Sequence, residues 1–252
     1  MRNQTILLSV LALICLPSLS MADKQYQSGE FKASVVELYT SEGCSSCPPA
    51  DKFLSKLGKT AEADLIVPLA FHVDYWDYIG WKDPFSKAKY TQRQREVAAV
   101  NKQSTIYTPE FVVDGREARG TRRVSNQVLE AQASAAEADI NLNLSAVQDG
   151  KLSVDIQVNN LNYQGNEQPE IYLALYENNL ANDIDAGENR GRVLKHDYVV
   201  RYISMPESTS NGMAHHFDLQ LEDDWDPSAM GVSAIVKLDK SGRTLQALKG
   251  ML

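Results

Sequence analysis

The sequence predicts an α/β domain over residues 30–138, with element order β-α-β-α-β-β-α, followed by an all-β sandwich over residues 139–252. Three observations carry this. Strand-like and helix-like periods alternate from Phe31 to about Ala138. Within that stretch "DLIVPLAFHVD", Asp64 to Asp74, is almost continuously apolar, as a strand covered on both faces of a parallel sheet must be. Beyond residue 139 only strand-like runs occur, several of them alternating, punctuated by Gly, Asn, Asp and Pro.

Element by element, "SVVELYT" (Ser34–Thr40) is rich in β-branched and apolar residues and reads as the first strand. Pro48 stands where the first turn of a helix tolerates proline. Ala50, Phe53, Leu54 and Leu57 then recur at helical spacing up to Gly58. Asp83-Pro84 has the form of a helix start, Asp as cap and Pro at the first helical position, opening a polar helix to about Asn101. "FVVDGREARG" sets Asp114-Gly115 between two extended runs, which signals a hairpin. A last helix is expected from about Arg122 to Glu137. In the second half "KLSVDIQVNN", "EIYLALYEN", "HDYVVRYISM", "MAHHFDLQLE" and "MGVSAIVKLD" are the clearest strands. The cysteine pair of a true immunoglobulin domain is missing. His215 and His216 are adjacent in a strand pattern and must point to opposite faces.

Residues 1–22 combine Arg2, an apolar stretch too short to span a bilayer, and small residues at Ser20 and Ala22, the pattern of a secretory signal cleaved before Asp23. Its loss leaves 230 residues and removes Cys15, so Cys44 and Cys47 become each other's only intramolecular partners. The expected location is secreted, in the periplasm, with no membrane anchor after cleavage. The net charge of −8, one unit more negative without Arg2, argues against a nucleic-acid partner or an anionic membrane surface.

The chemistry centres on "GCSSCPP". Where a strand enters a helix, the unpaired N–H groups of the first turn and the helix dipole favour a thiolate on the first cysteine. Cys44 is then the attacker, and Cys47, one turn on, the thiol that resolves the mixed disulfide. Two other readings stay open. Cys44, Cys47 and His72 would make a three-ligand copper or zinc site. An inert disulfide is the third, although a bridge closing so short a loop stabilises little by chain entropy. Strand ends of a parallel sheet gather on one edge, which brings His72, Asp74, Tyr75 and Trp76 toward the thiols. Tyr75 and Trp76 belong to an aromatic cluster with Tyr78 and Trp81, suited either to packing under a loop or to holding a peptide. "GENRGRVLKHDY" reads as a solvated hairpin loop.

The first half resembles the thioredoxin-like superfamily. More closely, "VELYTSEGCSSCPPAD", "HVDYWDYIGWKDPFS" and "ENRGRVLKHDYVVR" resemble a family of uncharacterised secreted bacterial proteins with a thioredoxin-like domain. The resemblance implies the fold and the cysteine pair, without a substrate. It also implies that Pro109 is a cis-proline facing the cysteines, with Thr108 beside it aligning a peptide, and that Glu37 stands near the position of a buried proton-accepting carboxylate. An ordinary strand-end glutamate is the other reading of Glu37. Ser45-Ser46 replaces the Gly-Pro of thioredoxin, and no tryptophan precedes Cys44. The expected activity is thiol–disulfide exchange on protein thiols or disulfides, with no cofactor. A metal carrier and a non-catalytic interaction module are the alternatives.

Overall fold

The computed structural model describes residues 23–252; residues 1–22, where a secretory signal is expected, and Cys15 with them lie outside the described residues. The first half contains β1 (Lys24–Gln27), β2 (Ser34–Thr40), α1 (Pro48–Leu57), β3 (Ile66–His72), α2 (Ala88–Val100), β4 (Glu110–Val113), β5 (Arg116–Glu117) and α3 (Thr121–Gln132). It continues with β6 (Asp139–Leu144), β7 (Lys151–Asn159), β8 (Pro169–Glu177), β9 (Leu180–Asp183) and β10 (Val193–His196). The remaining strands are β11 (Val199–Ile203), β12 (Glu207–Ser208), β13 (Ala214–Gln220), β14 (Met230–Leu238) and β15 (Thr244–Met251).

The assembled fold corrects the predicted class. Strands dominate, fifteen against three helices among the described residues, and no self-contained α/β layer of thioredoxin-like form stands ahead of a separate sandwich. Nine strands from both halves share one sheet, ordered β15-β14-β8-β11-β3-β2-β4-β5 with β12 on β8. The join is β3, which pairs in parallel with β2 on one side and with β11 on the other. Ala70 donates its N–H to the Tyr198 carbonyl at 2.8 Å across that seam. The apolar run of β3 foretells a strand with neighbours on both sides. It carries no information about which neighbours, so the second half supplies one that local periodicity cannot see.

Alternation along each strand sorts the side chains into three cores. Val36 and Leu38 of β2 face α1 and α3, meeting Ala50, Leu54, Phe111 and Val124. Val35 and Tyr39 point the other way, with Leu69, Phe71 and Tyr90 of α2. The antiparallel four-stranded sheet β1-β6-β7-β13 packs its apolar side chains on Leu173, Val232 and Val236. Strand β8 is therefore covered on both faces, which explains its unbroken run of apolar residues.

Locally the readings fare unevenly. Helix α1 begins at Pro48 and is capped by Gly58, burying Ala50 and Leu54 as its spacing requires. Asp114 (φ 49°) and Gly115 (φ 80°) form the left-handed turn between β4 and β5. Asp83, expected to cap α2, does not, because α2 starts only at Ala88. Its carboxylate is drawn inward instead, to buried donors described below. Helix α3 ends at Gln132, short of Glu137. His215 is buried and His216 exposed, as alternation demands. Among the described residues no helix is long and apolar enough to cross a membrane.

Candidate functional site

After Thr40 the chain leaves the sheet edge and turns tightly. Gly43 donates to the Ser41 hydroxyl at 3.0 Å and Cys44 to the Ser41 carbonyl at 3.1 Å. Cys47 then caps α1, its carbonyl accepting from Ala50 and Asp51. The two cysteines are joined as a disulfide, with a Cα–Cα separation of 5.4 Å, an arrangement compatible with a redox CxxC pair. Pro48 and Pro49 open the helix, so two of the four first-turn N–H groups are missing. The donor set available to a thiolate is thus thinner than the sequence reading supposed, and the helix dipole remains.

The cysteines are covered, at 1% and 0% exposure for Cys44 and Cys47. Part of the cover is the loop between β9 and β10, which sequence patterning took for a solvated hairpin. Fully buried Asn189 donates to the carbonyls of Glu42 (2.7 Å) and Cys44 (3.0 Å). Glu188 accepts from the Ser45 N–H at 3.1 Å. Turn carbonyls at the head of a buried motif need donors. Here they come from some 145 residues away in the chain. The cover leaves Ser46 exposed, with its hydroxyl 3.3 Å from Cys44 Sγ.

The same turn leads into a cluster of buried ionisable side chains, of which sequence reasoning had brought only His72 toward the thiols. Buried Glu42 accepts from Asn182 (2.8 Å) and Trp81 (2.9 Å), and its second-half neighbour His196 stands at 3.1 Å. His72, also fully buried, bonds Asp83 through Nδ1 at 2.6 Å, and its ring lies edge-on to His196 at 4.9 Å. Asp83 also accepts from the Glu42 N–H at 2.9 Å. Burial works to lower the His72 pKa, but the Asp83 carboxylate outweighs it and holds the imidazole above its ordinary value. Burial likewise pushes Asp83 upward, yet His72 and backbone donors bring it below the usual carboxylate range. Asp51, 6% exposed on α1, is raised by burial against the pull of His196 and His72. Its Oδ1 has no hydrogen-bond partner, nor do His72 Nε2 and His196 Nδ1. Asp51 could have been found, since four residues after Cys47 lies on the same helical face. Nothing local marks Asn189 or His196.

The other candidates divide. Thr108–Pro109 is cis, and Pro109 lines a groove of about 630 Å³ with Ser46, Pro49, Tyr107 and Phe111. Trp76 Nε1 donates to Thr108 Oγ1 at 2.7 Å, while the Trp76 backbone and Cβ press against Gly43, where a Cβ would meet them at 3.1–3.3 Å. Trp76 thus connects the cysteine turn to the Pro109 loop. The hydroxyl of Tyr75 is buried without a partner, and burial raises its pKa to about 12. Glu37 is not with the cysteines. It sits on the β2 face away from α1, paired with Arg93 and accepting from Tyr39 at 2.7 Å. Alternation along β2 imposes this, because Leu38 faces α1. Among the described residues no three His, Cys, Asp or Glu side chains form a cluster able to hold a metal. Cys44, Cys47 and His72 are not brought together as ligands.

Comparison with known proteins adds a family and a fold. Residues 35–237 match the family described as "Protein of unknown function (DUF1223)", and the chain belongs to that family. No functionally curated protein matches. A crystal structure of a protein from Agrobacterium tumefaciens is similar at 22% identity and TM-score 0.64, covering 89% of this chain and 96% of that one. HBP35 of Porphyromonas gingivalis is similar at 17% identity and TM-score 0.69, over 89% and 77%. These likenesses concern the fold alone.

Proposed function

We propose that this member of a family of unknown function exchanges thiols and disulfides with polypeptide partners outside the cytoplasm, through Cys44 and Cys47. One observation carries the reading: the disulfide stands at the head of α1, beside a groove lined by both Ser46 and Pro109. The signal-like residues 1–22 and the use of only two cysteines beyond them support an oxidising compartment.

In the reduced protein the Cys44 thiolate attacks a partner disulfide, forming a mixed disulfide and releasing one partner thiolate. The Cys47 thiol then loses its proton and attacks Cys44 Sγ. The second partner thiolate leaves, and the Cys44–Cys47 bond re-forms. Two electrons pass to the partner, and its two thiolates take up the protons. The reverse sequence oxidises a partner dithiol. Either direction requires the loop carrying Asn189 to lift from Cys44.

The test is trapping. Cys47→Ser leaves the attacker without its resolving thiol, so mixed disulfides between Cys44 and partners accumulate and dissolve on reduction. A Cys44→Ser,Cys47→Ser control forms none. Absence of any trapped species, together with no exchange on model disulfide peptides, would sink the proposal.

A further inference from the structure

The groove beside Ser46 does not end at Pro109. One of its walls is the segment Ala118–Thr121, and Arg119 of that segment, with Arg122 and Arg123 just beyond it, also lines a second cavity of about 800 Å³. The two cavities differ in chemistry. The first is walled by Pro49, Ala50, Tyr107, Pro109, Phe111 and Ala118. The second collects Arg116, Arg122 and Arg123. Arg119 stands in both, held by Glu117 at 2.9 Å and over the Tyr107 ring at 5.9 Å.

The charge of the second cavity runs against that of the chain. Lys32 and Arg119 are neutralised there by Asp114 and Glu117, and Glu130 is the remaining carboxylate on the lining. Arg116, Arg122 and Arg123 are exposed and, among the described residues, have no carboxylate within ion-pair distance. A protein of net charge −8 thus keeps three uncommitted guanidinium groups in one hollow, separated from an apolar groove by a few residues of backbone. Guanidinium is weakly hydrated and presents a planar fork matched to carboxylates, so such a hollow selects acidic side chains over neutral ones. An apolar groove leading into a cationic one suits an extended chain whose successive side chains change character in the same order.

Resting on the exchange reading above, we propose that the two cavities form one docking surface. Its occupant is a polypeptide with an apolar residue beside the cysteine it brings to Cys44 and acidic residues a few positions along. The apolar side chain fills the groove next to Ser46, and the carboxylates pair with Arg116, Arg122 and Arg123. The apolar anchor supplies the burial, and the arginines set direction and partner choice.

The test separates docking from redox chemistry by using peptides with serine in place of cysteine. Short fluorescent peptides carrying a phenylalanine followed by glutamates, glutamines or lysines are titrated with the oxidised full chain and followed by anisotropy. The glutamate peptide binds about tenfold more tightly than the lysine peptide. That preference shrinks as salt rises from about 0.02 to about 0.3 M. Phe→Ser in the peptide weakens all three, and Arg116→Glu,Arg122→Glu,Arg123→Glu reverses the charge preference while circular dichroism and Tm stay those of the parent. Equal binding of the three peptides, or a preference untouched by the arginine changes, overturns the inference even where exchange occurs. Preferential binding without exchange on cysteine-containing versions overturns the redox reading and leaves the docking preference standing.

Discussion

Replacing Asn189 by alanine should open the cysteine site. The amide donates to two carbonyls, those of Glu42 and Cys44, and accepts from Arg192 at 2.9 Å. Removing it leaves the Glu42 carbonyl buried without a donor while the loop is down, whereas the Cys44 carbonyl keeps the Cys47 N–H at 3.2 Å. An unsatisfied buried acceptor costs about 1–3 kcal/mol, so the closed arrangement loses about that much relative to one in which water reaches the turn. At 1.4 kcal/mol per factor of ten, the middle of that range, about 2 kcal/mol, raises the open population about 30-fold. Reduction of the Cys44–Cys47 bond by a small dithiol under native conditions follows that population when opening is fast. The rate of thiol appearance in Asn189→Ala should therefore rise by about 30-fold against the parent. Val154→Ala, in the core under the four-stranded sheet, serves as the control: it lowers global stability and leaves the reduction rate unchanged. A parental reduction rate in Asn189→Ala, with Tm lowered, would show that the loop packs without guarding the disulfide.

Three further outcomes follow from the same structure. Asp51 has its pKa raised in the folded state by burial, so the native chain holds that proton more tightly than the unfolded one. Stability then falls as pH rises through the raised value, and Asp51→Asn should remove the fall and raise Tm at neutral pH. His72 carries the same sign from a different cause: Asp83 raises its folded pKa, so its stabilisation is complete below the unfolded value of about 6.5 and fades as pH rises through the folded one. Urea midpoints followed from mildly acidic to alkaline pH should show that decline in the parent and a flatter profile in His72→Gln. Gly58→Ala places a Cβ 2.4 Å from the Tyr198 hydroxyl, which itself donates to the Gly58 carbonyl at 2.9 Å. Overpacking at that contact costs about 1–3 kcal/mol, read by calorimetry as a loss of about 2–4 °C per kcal/mol, and an unchanged Tm would mean that α1 and Tyr198 are not firmly docked.

The local features of the site were written in local sequence. Cys44 and Cys47 lie one helical turn apart, Pro48 starts the helix and Gly58 ends it, and Asp114-Gly115 turns the hairpin, because each depends on a few neighbouring dihedrals and a short-range period. The burial of β3 on both faces was legible too, since its apolar run leaves no polar face for water. Tertiary structure alone decided the rest. Glu37 turned to Arg93 because strand alternation put Leu38, and not its neighbour, under α1. Asp83 left the start of α2 because His72 and the Glu42 N–H were buried within reach and needed an acceptor. The edge of β3 was claimed by β11, and the loop bearing Asn189 settled over Cys44. A strand edge and a turn carbonyl state only that a hydrogen-bond partner is required; which distant segment provides it is settled by the joint packing of the whole chain.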